Sequence, residues 1–150
     1  MISVYHHFFK LGLYNEGMEK RNVLFLLTPK TQVACLSSNM NGRQALEKMR
    51  AHGYTALPLI SEKGEYLGII SEGDLLWHIV KENEISLADL ENVKIRDLVS
   101  KKLPAVKVDA DIAELVDHIA NQNFVPVVDD RNVLMGIVTR RKVIEELIET

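Results

Sequence analysis

Short apolar runs separated by turns recur in the same order in the two halves of the chain. Tyr54-Thr55-Ala56-Leu57-Pro58-Leu59-Ile60, a turn and Leu67-Gly68-Ile69-Ile70-Ser71 return as Phe124-Val125-Pro126-Val127-Val128, a turn and Met135-Gly136-Ile137-Val138-Thr139. The step from Pro58 to Gly68 equals the step from Pro126 to Gly136. Runs of this length bounded by turn residues predict paired strands, Thr55 to Ile60 with Tyr66 to Ile70 and Phe124 to Val128 with Val133 to Val138.

Helical spacing surrounds each hairpin. Ala45, Leu46 and Met49 share one face of a helix, which Gly53 ends by accepting a left-handed conformation. Ile112, Leu115, Val116 and Ile119 fall at i, i+3, i+4 and i+7, and Asn123 takes the place of Gly53. Ser71 caps a closing helix with Asp74 three places on, and Leu75, Leu76 and Ile79 are its inner face. Arg140 to Ile148 closes the second copy. Val23 to Leu27 predicts a short helix stopped by Thr28-Pro29, and Val33 to Leu36 and Ala105 to Val108 predict first strands. The fold class is therefore α/β, two repeats related by a pseudo-twofold axis and forming one module. An N-terminal extension covers 1–22, the first repeat 23–80, a polar linker with a helical turn around Leu87 and Leu90 81–94, and the second repeat 95–150.

The copies are offset unevenly. Leu27 to Val99 is 72 positions, Gly53 to Asn123 is 70 and Pro58 to Pro126 is 68. The second copy is thus shorter by two residues before its helix and by two more just before its proline. The latter loss removes the counterpart of the small pair Thr55-Ala56.

Composition narrows the function. With 150 residues, 47% of them hydrophobic and 26% charged, the chain suits one compact domain with a real core. A net charge of −3 excludes non-specific nucleic-acid binding, which needs a basic face. Cys35 is the only cysteine, so an internal disulfide is impossible and a reducing cytoplasm is the expected location. No apolar run reaches the roughly 20 residues of a membrane span. The start mixes His6, His7 and Lys10 into apolar residues and lacks a signal-peptide core. Phe8, Phe9, Leu11 and Leu13 are expected to cover a core edge or form a dimer contact. No metal is expected, because His6 and His7 lack further ligands at suitable spacing. A Walker-type loop, a His-Glu-x-x-His run and a Gly-x-Ser-x-Gly elbow are all missing, so the chain is not expected to be an enzyme. His52, His78 and His118 read as surface or edge residues of helices, and Trp77 as a packing or dimer-contact residue.

One segment breaks the rules of helix stability. Thr139 is the expected N-cap, so Arg140 and Arg141 stand in the first turn, where cations oppose the macrodipole by about 0.3–1 kcal/mol each. The first copy has Glu72 and Asp74 there. Either an anion completes the turn, held by backbone N–H groups and two guanidiniums, or Arg141 pairs with Glu145 while Arg140 extends into solvent. Tyr54, Thr55 and Ala56 suit a planar base, by ring, hydroxyl and small side chain, with Ala34, Leu36 and the backbone of Gln32 along its other side. Ordinary strand packing is the competing reading of Ala34 and Leu36.

These residues carry a family resemblance. Leu26-Leu27-Thr28-Pro29, Ala45-Leu46-Glu47-Lys48-Met49, Gly53-Tyr54-Thr55-Ala56-Leu57-Pro58 and Gly68-Ile69-Ile70-Ser71-Glu72-Gly73-Asp74, echoed up to Gly136-Ile137-Val138-Thr139, resemble a CBS-domain pair, or Bateman module, over about residues 23 to 148. Val33-Ala34, the acidic linker, the shortened Asn123-Phe124-Val125 and Thr139-Arg140-Arg141 resemble, more narrowly, the stand-alone CBS pairs of Gram-positive bacteria that bind cyclic di-AMP. The match departs at the longer N-terminus and at Gln32, where a lysine is typical.

The resemblance implies a homodimer that binds an adenine nucleotide as ligand, needs no cofactor and regulates a partner enzyme, for which a stringent-response synthetase is a candidate. It also implies two clefts. One combines Tyr54, Thr55 and Ala56 with Thr139, Arg140 and Arg141. A second combines Ser71 and Asp74, the latter a ribose acceptor, with Phe124 and Val125. The first is rich in cations and has Lys142 where a ribose acceptor belongs, which suits a cyclic dinucleotide better than AMP. An AMP, ADP or ATP sensor and a ligand-free dimeric scaffold are the alternatives.

Overall fold

The computed structural model describes residues 22–82, 87–99 and 103–148. In chain order it has a 3₁₀ turn at Val23–Leu26, β1 (Thr28–Pro29), a 3₁₀ turn at Lys30–Gln32, β2 (Leu36–Ser37), α1 (Gly42–His52), β3 (Ala56–Ile60) and β4 (Tyr66–Ser71). Then come α2 (Glu72–Glu82), α3 (Leu87–Leu90), a 3₁₀ turn at Ile95–Leu98, β5 (Val106–Lys107), α4 (Ile112–Ile119), β6 (Phe124–Val128), β7 (Leu134–Thr139) and α5 (Arg140–Ile148).

These elements form two compact units, and neither is a continuous copy. Among the described residues, one comprises those within Ala34–Leu103 and the other combines 22–33 with 104–148. In the first, β2 runs parallel to β3 and β3 antiparallel to β4, with Ala56 opposite Ser71 and Leu59 opposite Gly68. Leu36, Ala45, Met49, Leu57, Leu59, Ile70, Leu75 and Ile95 close its core. In the second, the sheet order is β1-β7-β6-β5. Its core joins Val23 and Leu26 to Ile112, Leu115, Val116, Val125, Val127 and Val138. The copies have therefore exchanged their opening turns: Val23–Leu26 packs with the strands of the second copy, and Ile95–Leu98 with those of the first.

Two glycines admit the exchanged segments. A Cβ at Gly136 would lie 2.2 Å from the Thr28 carbonyl oxygen and 2.8 Å from Leu27, because β1 crosses β7 there. At Gly68 (φ 149°) it would lie 2.8 Å from Val99.

Local chemistry sets the element ends. Asn41 and Gln44 form a capping box that starts α1, and Gly53 ends it at φ 69°. The α2 cap is reciprocal: the Asp74 N–H donates to Ser71 Oγ at 3.1 Å, and Asp74 Oδ2 accepts from the Ser71 N–H at 2.8 Å. Tyr66 is wholly buried and donates its hydroxyl to the Leu103 carbonyl at 2.7 Å, and burial raises its pKa. Leu90 of α3 is also wholly buried, and the Gly42 N–H donates to Val93 O at 2.8 Å, which ties the linker to the start of α1.

Several sequence expectations change. The strand expected over Val33 to Leu36 shrinks to Leu36–Ser37, because Val33 closes a 3₁₀ turn onto Lys30 and the chain then passes between units. Leu76, expected inside, is exposed, while Leu75 is buried. Val133 lies outside β7 because its N–H donates to Asp129 Oδ1 at 2.9 Å. Asn123 is not left-handed; among the described residues the positive-φ asparagine is Asn132, at the hairpin position matching Gly64. The shortening before Pro126 also falls elsewhere. β3 and β6 have equal length, and Ala56↔Ser71 matches Phe124↔Thr139, so the missing residues come from the end of α4. The counterparts of Thr55 and Ala56 are Asn123 and Phe124.

Replacing Gly136 by alanine is expected to cost more than the ~1–3 kcal/mol usual for overpacking, since the obstacle is backbone. Gly68→Ala meets a side chain that has some room to move and strains a positive φ. Urea denaturation midpoints should fall for both variants, further for Gly136→Ala.

Candidate functional site

In the unit that contains them, Tyr54 and Thr55 emerge where Gly53 turns the chain out of α1, with the Tyr54 N–H donating to Met49 O at 3.0 Å. Tyr54 is 52% exposed and its ring stacks near-parallel (15°) on His52, centroids 6.4 Å apart. Thr55 is exposed, its carbonyl accepting from the Glu72 N–H at 2.9 Å, and Ala56 opens β3. Together they present an aromatic face, a hydroxyl and a small side chain at one strand end. Ala34 is half-buried, whereas the Leu36 side chain is wholly buried in the core and has no face to offer a ligand. Lys48 donates to the Cys35 carbonyl at 2.6 Å, which pins the backbone between them. Gln32 is exposed and belongs to the other unit.

The second unit repeats the frame with different chemistry. The Arg140 N–H donates to Asn123 O at 2.9 Å, as Glu72 does to Thr55. Thr139 Oγ1 accepts from the Lys142 N–H at 3.1 Å, the expected cap. The first turn of α5 contains no acid and three cations, Arg140, Arg141 and Lys142.

The two arginines differ in what they do. Arg140 is half-buried; its Nε donates to Ile119 O at 3.0 Å and its Nη2 to Gln122 O at 3.1 Å. It satisfies carbonyls at the end of the shortened α4, a role that sequence spacing did not suggest. Gln122, buried, in turn donates to the carbonyls of Pro104 and Phe124 at 3.4 Å. Arg141 is 86% exposed and touches Glu145 one turn on at 2.9 Å. An exposed pair of this kind contributes about 0.2–0.5 kcal/mol.

The residues expected around the second recess are more committed. Asp74 Oδ2 accepts from both the N–H and the hydroxyl of Ser71, at 2.8 and 3.0 Å. Val125 is wholly buried, and half-buried Phe124 fills the place that Ala56 holds in the first copy. A cavity of about 470 Å³ in the first unit lies elsewhere, between His78 and the Asn92–Leu98 segment. Among the described residues no group of three or more His, Cys, Asp or Glu side chains could hold a metal ion. No helix among them is long and apolar enough to cross a membrane.

Removing the Arg140 side chain strands the Ile119 and Gln122 carbonyls, so Arg140→Ala should cost about 1–3 kcal/mol, while Arg141→Ala should stay within about 0.5 kcal/mol. Chemical denaturation of the two variants beside the wild type separates the structural arginine from the available one.

The family model described as the CBS domain matches twice, at residues 25–81 and 95–149. The cyclic di-AMP receptor B of Bacillus subtilis is 27% identical over 137 residues, 91% of this chain and 93% of that protein. An uncharacterized Methanopyrus kandleri protein is 32% identical over 100 residues, 65% of this chain, and that match spans 49% of its length. The solved structure of Listeria monocytogenes CbpB with cyclic di-AMP aligns at TM-score 0.77 and 25% identity, covering 85% of this chain and 95% of that one.

Proposed function

The chain belongs to the CBS-domain family as a tandem pair of repeats, and from that premise we propose that it is a non-enzymatic cyclic di-AMP sensor. The nucleotide is held in the cleft between the two repeats, and the chain signals its presence to a partner enzyme, acting in the cytoplasm as a homodimer. The observation that carries this reading is the first turn of α5, cationic and without an acid, where Arg141 is 86% exposed. The corresponding turn of α2 is closed on itself by Ser71 and Asp74. Dianionic, ribose-poor recognition suits the former and not the latter. The names of the Bacillus subtilis and Listeria monocytogenes relatives point to the same ligand.

In the proposed site Tyr54, Thr55 and Ala56 receive an adenine, and Arg141, Thr139 and the α5 N–H groups receive phosphate. Arg140 fixes where α5 begins. Ala34 and the Gln32 backbone flank the base. Binding that differs between two arrangements of the repeats would couple ligand to partner by about 1–3 kcal/mol.

Isothermal titration of the full chain with cyclic di-AMP, AMP and ATP tests this. Cyclic di-AMP should bind tightest, and Arg141→Ala should weaken it at least tenfold while leaving thermal stability unchanged. AMP or ATP binding as tightly, with no effect of Arg141→Ala, would instead support an adenylate sensor. A thermal-shift panel supplies the other arm, because a ligand at ~100 times its dissociation constant adds about 2.7 kcal/mol. No shift with any nucleotide would leave a dimeric scaffold.

A further inference from the structure

The cavity of about 470 Å³ beside α2 falls within the roughly 300–1,000 Å³ of small-molecule sites. Backbone holds its frame. The Ile95 side chain is wholly buried and its N–H donates to Met40 O at 3.2 Å. The Gly42 N–H donates to Val93 O at 2.8 Å, and the Asp97 N–H to Lys94 O at 3.0 Å. Lys94 and Arg96 thus stand on either side of an anchored residue, and both line the cavity. Half-buried Val93 and Leu98 give it apolar surface, and half-buried His78, three residues after Leu75, lines it from α2. The charges around it are uncommitted. Glu91, the acid just before these residues in the chain, is spent on Arg43 of α1. Among the described residues the side chains of Lys94, Arg96 and Asp97 make no hydrogen bond or ion pair.

We propose that this cavity is a second ligand site, which takes a phosphate monoester on a small hydroxylated carbon skeleton (the sugar-phosphate class). Arg96 and Lys94 take the phosphate, the first as a planar fork and the second as a point charge. An ionised Asp97 only accepts hydrogen bonds, so it repels the phosphate and suits hydroxyl groups at the other end of the molecule. Val93 and Leu98 lie against the carbon skeleton. Because the frame is already fixed by Ile95 and Val93, binding orders side chains and little else, which keeps its entropic cost low. The site shares no residue with the one proposed for cyclic di-AMP and stands independently of it. Its lining comes from α2 on one side and the Asn92–Leu98 segment on the other, so occupancy ties the end of the linker to the first repeat.

Amide chemical shifts of the nitrogen-15-labelled full chain, titrated with ribose 5-phosphate, ribose or inorganic phosphate to about 10 mM, test this. Ribose 5-phosphate should shift His78 and Asn92 to Leu98 saturably, and bind at least tenfold more tightly than ribose or inorganic phosphate. Lys94→Ala and Arg96→Ala should each weaken it at least fivefold at an unchanged urea midpoint, with Arg96→Gln as the substitute if Arg96→Ala lowers that midpoint. Asp97→Asn should narrow the advantage over inorganic phosphate, and Arg141→Ala should change nothing. No saturable shift at these amides overturns the site. Binding that persists in the Lys94→Ala, Arg96→Gln double variant overturns the phosphate contacts, and inorganic phosphate binding equally tightly overturns the hydroxylated skeleton. Shifts confined to α5 and lost in Arg141→Ala would assign the phosphate to the other site and overturn this one.

Discussion

The fold depends on the bare backbone of Gly136 and Gly68. Each sits in the second strand of a hairpin, at the point where the opening segment of the opposite copy crosses. At Gly136 that segment is backbone: β1 pairs Pro29 with Gly136 and Thr28 with Ile137. Because β1 is a strand of that sheet, Val23 and Leu26 can enter its core. A two-residue strand is too short to hold by its own ladder; it holds because its approach buries the turn before it. Gly68 does the same for Val99, and Ile95 enters the other core. The exchange also fixes the route of Lys30 to Leu36, which runs from one unit into the other.

Within this shared frame the copies diverge at the junction of second strand and closing helix. Both donate the first helical N–H to the carbonyl just before the first strand of the hairpin, Thr55 or Asn123, at 2.9 Å. After that, α2 spends Asp74 on its own cap, whereas α5 has a hydroxyl cap and three cations. The shortening of α4 explains part of the difference. α4 stops at Ile119, three residues shorter than α1, and ends without a left-handed glycine, so its last carbonyls need another donor. Arg140 is that donor.

The repeat made most of this legible. Strand pairs, the Gly53 terminus, the Ser71–Asp74 cap and the Ile112–Ile119 face all follow from period, turn residues and local capping, which act over a few positions. What failed to follow was non-local. Leu27 and Val99 read as equivalent, but nothing in their spacing says that each packs with the other copy's strands. Counting from Gly53 put the deletion in the strand, whereas register fixes Phe124 opposite Thr139 and moves the loss into the helix end. Leu76 read as inner because it follows Leu75, yet a helix turns it nearly 100° away. Arg140 read as a solvent or ligand arginine because the carbonyls it meets lie 18 and 21 residues earlier.

That last misreading bears on what the adjacent arginines can do. Arg140 reaches two carbonyls from a half-buried position, and giving them up for an anion would leave both acceptors poorly served, at about 1–3 kcal/mol for each one that ends buried. Arg141 faces no such cost. Its exposed pair with Glu145 contributes only about 0.2–0.5 kcal/mol, so little is lost when Glu145 lets go. An anion bound at the start of α5 would therefore displace Glu145 from Arg141 and leave Arg140 in place. The clamp is what makes the exchange cheap: Arg140 N–H, Nε and Nη2 fix the first residue of α5 to Asn123, Ile119 and Gln122, so Arg141 moves only its side chain.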